Sequence, residues 1–335
     1  MTKEKNILQD LHGRDHAYLR ISLIERCNLR CSYCMPEEGV QLSPKSHLMT
    51  YEEIYDIAKI FVNHGVTKIR LTGGEPLIRK DIPVILEKLA SLPVELSITS
   101  NAVIIHKFID VLKENGVKSI NVSLDSLDRE KFKHITRRDQ FDIVYKNILL
   151  LVKEGFNVKV NAVLMKGFND NEIIDFINFT KDLPFSVRFI EFMPFDGNKW
   201  DMGKMVSYAE VMTYVNDAFT EDKIKRLQDA PNDTSKNYKI KGYKGSFAII
   251  SSVTNPFCDS CNRLRLTANG QLKNCLFSST ESDLLTTLRA GQSIEPIIKK
   301  AVQAKLKVRG GMDTLKKLQE PKLHNNNRSM ITIGG

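Results

Sequence analysis

The chain has 335 residues, 42% of them hydrophobic and 27% charged, with a formal net charge of +9. That is enough apolar material for a real core, expected as one larger domain over 1–225 and a smaller one over 226–335. No stretch is long enough to cross a bilayer and the start lacks the apolar run of a signal peptide. A cytoplasmic protein with reduced thiols is therefore expected, without membrane attachment.

In chain order, short β-branched or alternating runs recur, each followed by a helical pattern. The first run is "AYLRISL" (17–23), and it leads into "RCNLRCSYCMP" (26–36), which holds Cys27, Cys31 and Cys34. A helical pattern follows over 50–65, opened by a Thr50/Glu53 capping box and stopped by Gly65. "KIRLT" (68–72) runs into "GGEP" (73–76). Further strand candidates are "VELSIT" (94–99), ending in "TSNA", and "KSINVSL" (118–124), ending in "SLD". "NVKVNAV" (157–163) and "SVRFIEF" (186–192) complete the series, the last ending in "EFMP" (191–194). Six β-then-α units predict a parallel α/β architecture; being short of the eight that close an ordinary barrel, they predict a partial (βα)6 barrel of the TIM type. The unusual motifs all fall at the C-terminal strand ends, where such folds collect their chemistry.

Alternation within these strands places Arg20 and Ser22 on one face and Leu19, Ile21 and Leu23 on the other. Lys68, Arg70 and Thr72 oppose Ile69 and Leu71. Asn121, Ser123 and Asp125 oppose Ile120, Val122 and Leu124, and Lys159 and Asn161 oppose Val158, Val160 and Ala162. With the apolar faces under the helices, cationic side chains point inward, which implies a buried anionic ligand. The chain has no GxxxxGK[ST] phosphate loop, no basic–aromatic RNA-binding motif and no strongly basic amphipathic helix. A small phosphate-bearing substrate is expected rather than nucleic acid.

The other three cysteines lie in "NPFCDSCNRLRLTANGQLKNC" as Cys258, Cys261 and Cys275. A two-residue turn at Asn269-Gly270 would set Leu264 opposite Cys275 and return that thiol to the CxxC pair. Structural zinc wants four ligands, and no histidine lies within either cysteine group. Three thiols on a cubane cluster leave one iron open for a non-protein ligand. A zinc knuckle stays open as the alternative for the second group.

CxxxCxxC with Tyr33 before the last cysteine, followed by GGEP, resembles the radical S-adenosylmethionine (SAM) superfamily. "LRISLIERCNLRCSYCMP", "IRLTGGEPLIRKD", "INVSLDSLD", "VKVNAVLMKGFND", "RFIEFMPF", "FCDSCNRLRLTANGQLKNCLF" and the final "IGG" are similar to the GTP 3′,8-cyclase family. The resemblance implies two [4Fe-4S] clusters, one on Cys27, Cys31 and Cys34 that binds SAM, and one on Cys258, Cys261 and Cys275 that binds the guanine edge. It implies a C-terminal domain covering the barrel opening and carrying the second cluster. It assigns SAM contacts to Tyr33, Gly74, Ser123 and Met193. It assigns GTP contacts to Arg20, Arg70, Thr99 and Lys159 with Lys68 nearby, both triphosphate contact and a catalytic role to Arg263 and Arg265, and a catalytic role to the terminal Gly334-Gly335. The reaction implied is hydrogen abstraction from the ribose C3′ of GTP, attack of that carbon on C8, and reduction to (8S)-3′,8-cyclo-7,8-dihydro-GTP, the first step of molybdenum cofactor biosynthesis. Expected partners are an electron donor and, downstream, cyclic pyranopterin monophosphate synthase; a homodimer is compatible. Another radical enzyme with an auxiliary cluster, such as a peptide maturase, is the alternative. The chain departs from the family where relatives have "TTNG": Ser100 and Ala102 stand there, and Ile24 replaces a common threonine. The "SMITI" stretch before the tail is expected to dock as a strand.

Overall fold

The computed structural model describes residues 6–36, 38–320, 323 and 327–334. Strands β1 (Tyr18–Ser22), β2 (Lys68–Thr72), β3 (Glu95–Ser100), β4 (Ser119–Ser123), β5 (Asn157–Leu164) and β6 (Ser186–Glu191) pair side by side, all parallel. They coincide with the six expected runs to within a residue or two. Helices between them, such as Tyr51–Asn63, carry the chain back. That helix has the reciprocal Thr50/Glu53 capping box, with the Glu53 amide donating to the Thr50 hydroxyl and the Thr50 amide to the Glu53 carboxylate.

The remaining strands extend the same sheet at both edges. They are β7 (Ile224–Arg226), β8 (Lys236–Ile240), β9 (Ser246–Ile250), β10 (Arg263–Leu266), β11 (Gln271–Lys273) and β12 (Ser282–Asp283). β9 adds in parallel beside β6 and β10 in parallel beside β1; β8 and β7 then β11 and β12 follow antiparallel. The order β12-β11-β10-β1-β2-β3-β4-β5-β6-β9-β8-β7 is that of an open sheet. β7 straddles residue 225 and its successors lie on both edges, so one continuous sheet joins the N- and C-terminal parts of the chain.

The outward strand faces make the core. Leu19, Ile21, Ile69, Leu71, Ile98, Ile120, Val122, Val158, Val160, Val187 and Phe189 pack in one cluster with helical Ile54, Ile57, Phe61, Ile85, Leu89, Ile148 and Phe176. Each such side chain contributes about 1.5–3 kcal/mol of burial free energy. The inner face is left to the polar residues.

Two expectations are corrected. The β10–β11 hairpin pairs Arg265 with Lys273 and Leu266 with Leu272, which sets Leu264 level with Asn274 rather than Cys275. A two-residue turn of the favoured type needs positive φ at both central residues. Only Gly270 (φ 73) has it, so the loop takes three residues, closed by Thr267 and Gln271. One added loop residue shifts the register by one. "SMITI" is not a strand: Met330–Ile333 is a single helical turn with Ile331 and Ile333 buried. Side-chain burial there is met by a helical turn, whose Gly334 amide returns to the Met330 carbonyl at 3.1 Å.

Candidate active site

The first cysteine group lies in the loop after β1, and backbone contacts hold that loop in place. The Gly74 amide donates to the Ile24 carbonyl at 2.7 Å and the Glu75 amide to the Arg26 carbonyl at 2.8 Å. A Cβ on Gly74 would stand 2.2 Å from the Arg26 carbonyl oxygen, so only glycine lets the two loops meet. On the other side the Arg30 and Ser32 amides donate to the Thr136 and Ile135 carbonyls.

Two buried carboxylates anchor this loop. Glu75 accepts from the Asn101 amide (2.7 Å), the Ser100 hydroxyl (2.9 Å) and the Leu77 amide (3.1 Å). Burial pushes its carboxyl up to about 7 against those donors. Ser100 thus keeps the hydroxyl the loop requires. Ala102 occupies a left-handed conformation (φ 61) that suits the glycine of relatives. The Asn101 amide group faces Cys27 Sγ at 3.5 Å and Asn28 Oδ1 at 2.6 Å, its own oxygen taking the Val103 amide. Asp125, at the end of β4, accepts from the Tyr33 hydroxyl (2.9 Å) and the Val163 amide (2.9 Å); burial raises its carboxyl to about 6. Among the described residues, no three His, Cys, Asp or Glu side chains form a group fit to hold a metal ion. Burial pushes Cys31 well up, with Asp125 and then Cys34 and Cys27 adding to it. Three thiols so disposed, with one receiving an amide N–H, suit a cluster whose cysteines each hold a different iron.

The second group sits at the β10 edge. The Arg309 amide donates to Cys258 Sγ at 3.4 Å, Arg14 Nη1 to the Cys258 carbonyl at 2.8 Å, and Lys305 Nζ to the Asn274 carbonyl at 2.5 Å. Burial pushes Cys258 up, with Cys275 and Cys261 adding to it.

Between the two groups lies the inner face. The parallel register sets Arg265, Arg20 and Arg70 side by side on β10, β1 and β2. One step along, Thr99, Asn121 and Lys159 align on β3, β4 and β5, and Asn161 and Arg188 on β5 and β6. Among the described residues, Arg20 Nε, Arg70 Nε, Arg188 Nε, Arg263 Nη1, Thr99 Oγ1, Asn121 Oδ1, Asn161 Oδ1 and Ser22 Oγ are buried without a hydrogen-bond partner. Buried polar groups are normally satisfied. So many orphans on one face, half of them cationic, describe a cradle for a polyanion. Burial holds Arg20 and Arg188 down at about 10, with neighbouring arginines adding to it, and holds Lys159 at about 8. Tyr18 stands among them, 5.8 Å from Lys68 and Arg70 and 5.9 Å from Arg263 measured to its ring centre.

Lys68 lies at the opposite, N-terminal end of β2 and pairs with Glu95 at 2.6 Å. Arg263 donates to the Asn232 carbonyl, while Arg265 is buried and gives Nη1 to the Gly334 carbonyl at 2.6 Å. Gly334 (φ 80) is pressed against Ser22, where a Cβ would stand 2.9 Å from that side chain. The tail therefore enters the strand-end opening; Gly335 lies outside the described residues. Ser123 is half-buried at the end of β4 beside Asn161. Met193 packs with Cys275, Phe277 and Met312 in a separate small cluster near the second group. Sequence reasoning missed Arg188, Tyr18 and Asn101. Arg188 and Tyr18 were open to the alternation argument already applied to Arg20; Asn101 had no signal beyond its place in "TSNA".

Comparison with known proteins agrees with this geometry. Residues 21–180 match the radical SAM superfamily and residues 185–310 the molybdenum cofactor synthesis C-terminal family. The chain is 50% identical to the mitochondrial GTP 3′,8-cyclase of Arabidopsis thaliana, covering 98% of this chain and 84% of that one. It is 42% identical to the GTP 3′,8-cyclase of Thermodesulfovibrio yellowstonii over 98% of this chain and 100% of that one. It is 45% identical to human molybdenum cofactor biosynthesis protein 1, of which it spans 51%. In fold it is similar to Streptococcus suis SuiB bound to S-adenosylmethionine, with a TM-score of 0.61 at 19% identity, covering 92% of this chain and 73% of that one. No helix among the described residues is long and apolar enough to cross a membrane. On sequence identity at this length, the chain belongs to the GTP 3′,8-cyclase family of radical SAM enzymes.

Proposed function

We propose that the chain cyclises GTP to 3′,8-cyclo-7,8-dihydro-GTP, the opening step of molybdenum cofactor biosynthesis. The observation that carries this reading is the row of orphaned cationic and amide side chains on the inner face, lying between two cysteine triads. Arg20, Arg70, Arg188 and Arg265 present fixed donor forks suited to phosphate oxygens, with Lys159 as a further charge. Thr99, Asn121 and Asn161 supply uncharged partners that fix the sugar and base. Holding the ribose and base in one conformation is the chain's main task, because C3′ must face C8 for the ring to close.

Cys27, Cys31 and Cys34 hold one [4Fe-4S] cluster and Cys258, Cys261 and Cys275 a second. The first cluster with SAM would supply the radical that starts the reaction, and the second would hold the guanine edge. Tyr33, Gly74, Ser123 and Met193 are the SAM-facing residues of this reading. Tyr33 is held by Asp125, and the Gly74 backbone is pinned to the cysteine loop. Arg263 and Arg265 bind the triphosphate, and Arg265 in turn is steadied by the tail carbonyl at Gly334. An electron donor, cytoplasmic residence and hand-over to a downstream synthase belong to the same reading, as does the division at residues 225 and 226 into a barrel part and a cluster-bearing part.

The product is an isomer of GTP, since one hydrogen leaves C3′ and one returns after ring closure. Anaerobic turnover with GTP, SAM and a reductant should yield a species of unchanged mass and altered chromatographic retention, with 5′-deoxyadenosine released alongside. Release of 5′-deoxyadenosine with no new GTP isomer would sink the substrate assignment while leaving the radical chemistry standing.

A further inference from the structure

The tail reaches Arg265 from a fixed seat seven residues earlier. Asn327 is fully buried; its Nδ2 donates to the Leu276 carbonyl at 3.1 Å and its Oδ1 accepts from Lys273 Nζ at 3.1 Å. Its own carbonyl accepts from the Asp196 amide at 3.2 Å. Arg328 follows. Its Nε and Nη2 donate to the two oxygens of Glu281 at 3.0 and 2.9 Å, a bidentate pair, and Nη2 also reaches Asn269 Oδ1 at 3.4 Å. On its other side Nη1 stands 3.8 Å from Glu25 Oε1. Glu25 is buried, accepts from the Ser43 amide (2.6 Å) and hydroxyl (3.0 Å), and precedes Cys27 by two residues.

From Arg328 the path to the site is short and stiff. Ser329 opens the helical turn Met330–Ile333, in which the Thr332 hydroxyl donates back to the Ser329 carbonyl at 2.9 Å. Ile331 and Ile333 are buried, and Gly334 then meets Arg265. One turn of helix transmits the position of its first residue to its last. The guanidinium also reaches both the hairpin of the second cysteine group, through Asn269, and the loop of the first, through Glu25.

We propose that Arg328 is the positioning residue for the C-terminal tail: its pairing with Glu281 and Glu25 sets where Gly334 meets Arg265 and ties the seat of the tail to the first cysteine loop. The catalytic consequence rests on the reading that the tail serves the cyclisation. In Arg328→Gln, amide exchange at Thr332 and Gly334 should quicken about ten-fold, the equivalent of about 1.4 kcal/mol of local opening, with the strands unchanged. Product formation should fall by a similar factor while SAM cleavage persists, and Arg328→Lys should recover part of it. Glu281→Gln, which keeps the shape and removes the charge, should give the same pattern more weakly. Persistent SAM cleavage in Arg328→Gln together with partial rescue by Arg328→Lys is what a merely structural role would not produce. Unchanged exchange in both Arg328→Gln and Glu281→Gln overturns the latch, even where the deletion abolishes product. Full product formation by the deletion variant overturns instead the reading of the tail, and with it the catalytic half of the proposal.

Discussion

The two cysteine triads carry the same number of thiols in opposite electrostatic surroundings. Around the first stand Glu75 and Asp125, both buried, and all three thiols are driven up: Cys27 to about 11 and Cys34 to about 12, by burial before anything else, with Glu75 and Asp125 adding to it. Around the second stand Arg14, Lys305 and Arg309, each under a tenth exposed, with Arg263 beside them. Burial works upward on Cys261 too, yet Lys305 and Arg263, with Arg14, outweigh it and leave that thiol below its ordinary value, while burial still holds Cys258 up as in the first triad. A cluster gains negative charge when it is reduced, so neighbouring cations ease that step and neighbouring carboxylates resist it. The first site is therefore expected to hold the lower potential and the second to accept a reduced or anion-bearing state more readily.

The sharpest break of this comparison is removal of each triad in turn. Two cubane clusters give about eight irons per chain after anaerobic reconstitution. Cys27, Cys31 and Cys34 all replaced by alanine should leave about half of that iron and abolish SAM cleavage. The matching change at Cys258, Cys261 and Cys275 should also halve the iron, but keep some uncoupled cleavage and lose the cyclised product. Retained cleavage in the first variant, or normal product in the second, would reverse the roles assigned here.

A subtler change tests the field itself. Lys305 donates to the Arg263 carbonyl at 2.8 Å and to the Asn274 carbonyl, next to Cys275. Lys305→Gln keeps a donor in that place and removes the charge. The potential of the second cluster should drop by several tens of millivolts, about 59 mV being ten-fold for one electron, while the first stays put. Redox titration followed by electron paramagnetic resonance reads both. Equal shifts at the two clusters would mean that Lys305 acts through the fold rather than through its charge.

The inner face responds to pH in a direction that the geometry dictates. Burial, with Arg188, Arg70 and Lys68 adding to it, holds Lys159 at about 8 against an ordinary 10.5. Between those values the unfolded chain binds more protons than the folded one, so ligand-free stability should rise with pH from about 8 to about 10.5, the penalty being fully in force below that window. A bound triphosphate restores the proton. Binding of GTP above pH 8 should therefore take up a proton, seen as a dependence of the calorimetric enthalpy on buffer ionisation, and Lys159→Met should remove it. Proton-neutral binding in the wild-type protein would place Lys159 away from the phosphates.

Much of this was legible before any coordinate. The six parallel strands follow from alternation and capping, and the same alternation turned Arg20, Arg70 and Lys159 inward. What escaped it depended on contacts that no local pattern encodes. Strands β9 and β10 join the six-stranded core across long sequence separations, so the sheet's true width was hidden. The hairpin register turned on whether one residue or two adopted positive φ. The "SMITI" turn is apolar and short, and periodicity cannot separate a strand from a helical turn at that length. Arg14, Lys305 and Arg309 reach the second triad only through the fold, so the motif itself showed only Arg263 of that cationic shell.

The smallest expected effect concerns the loop that puts an amide on Cys27. Ala102 is fully buried at φ 61, with its amide donating to the Ser100 hydroxyl at 2.9 Å. A left-handed conformation costs a residue with a Cβ about 1–2 kcal/mol, which argues for glycine. Glycine in turn gives up about 0.4–1 kcal/mol through the unfolded chain, and loses a buried methyl worth about 0.8 kcal/mol. The terms nearly cancel, which explains how alanine is accommodated in a conformation that favours glycine. Ala102→Gly should leave the melting temperature within about 2–4 °C of wild type and both clusters in place. Ala102→Val adds β-branching to the same φ without space to put it, and should destabilise by more than about 2 kcal/mol. It should loosen Asn101 from Cys27, so its first cluster should shift in potential while the second does not. A clear gain in stability from Ala102→Gly would show that the buried methyl contributes less than its area suggests, and that strain is held in the first cysteine site.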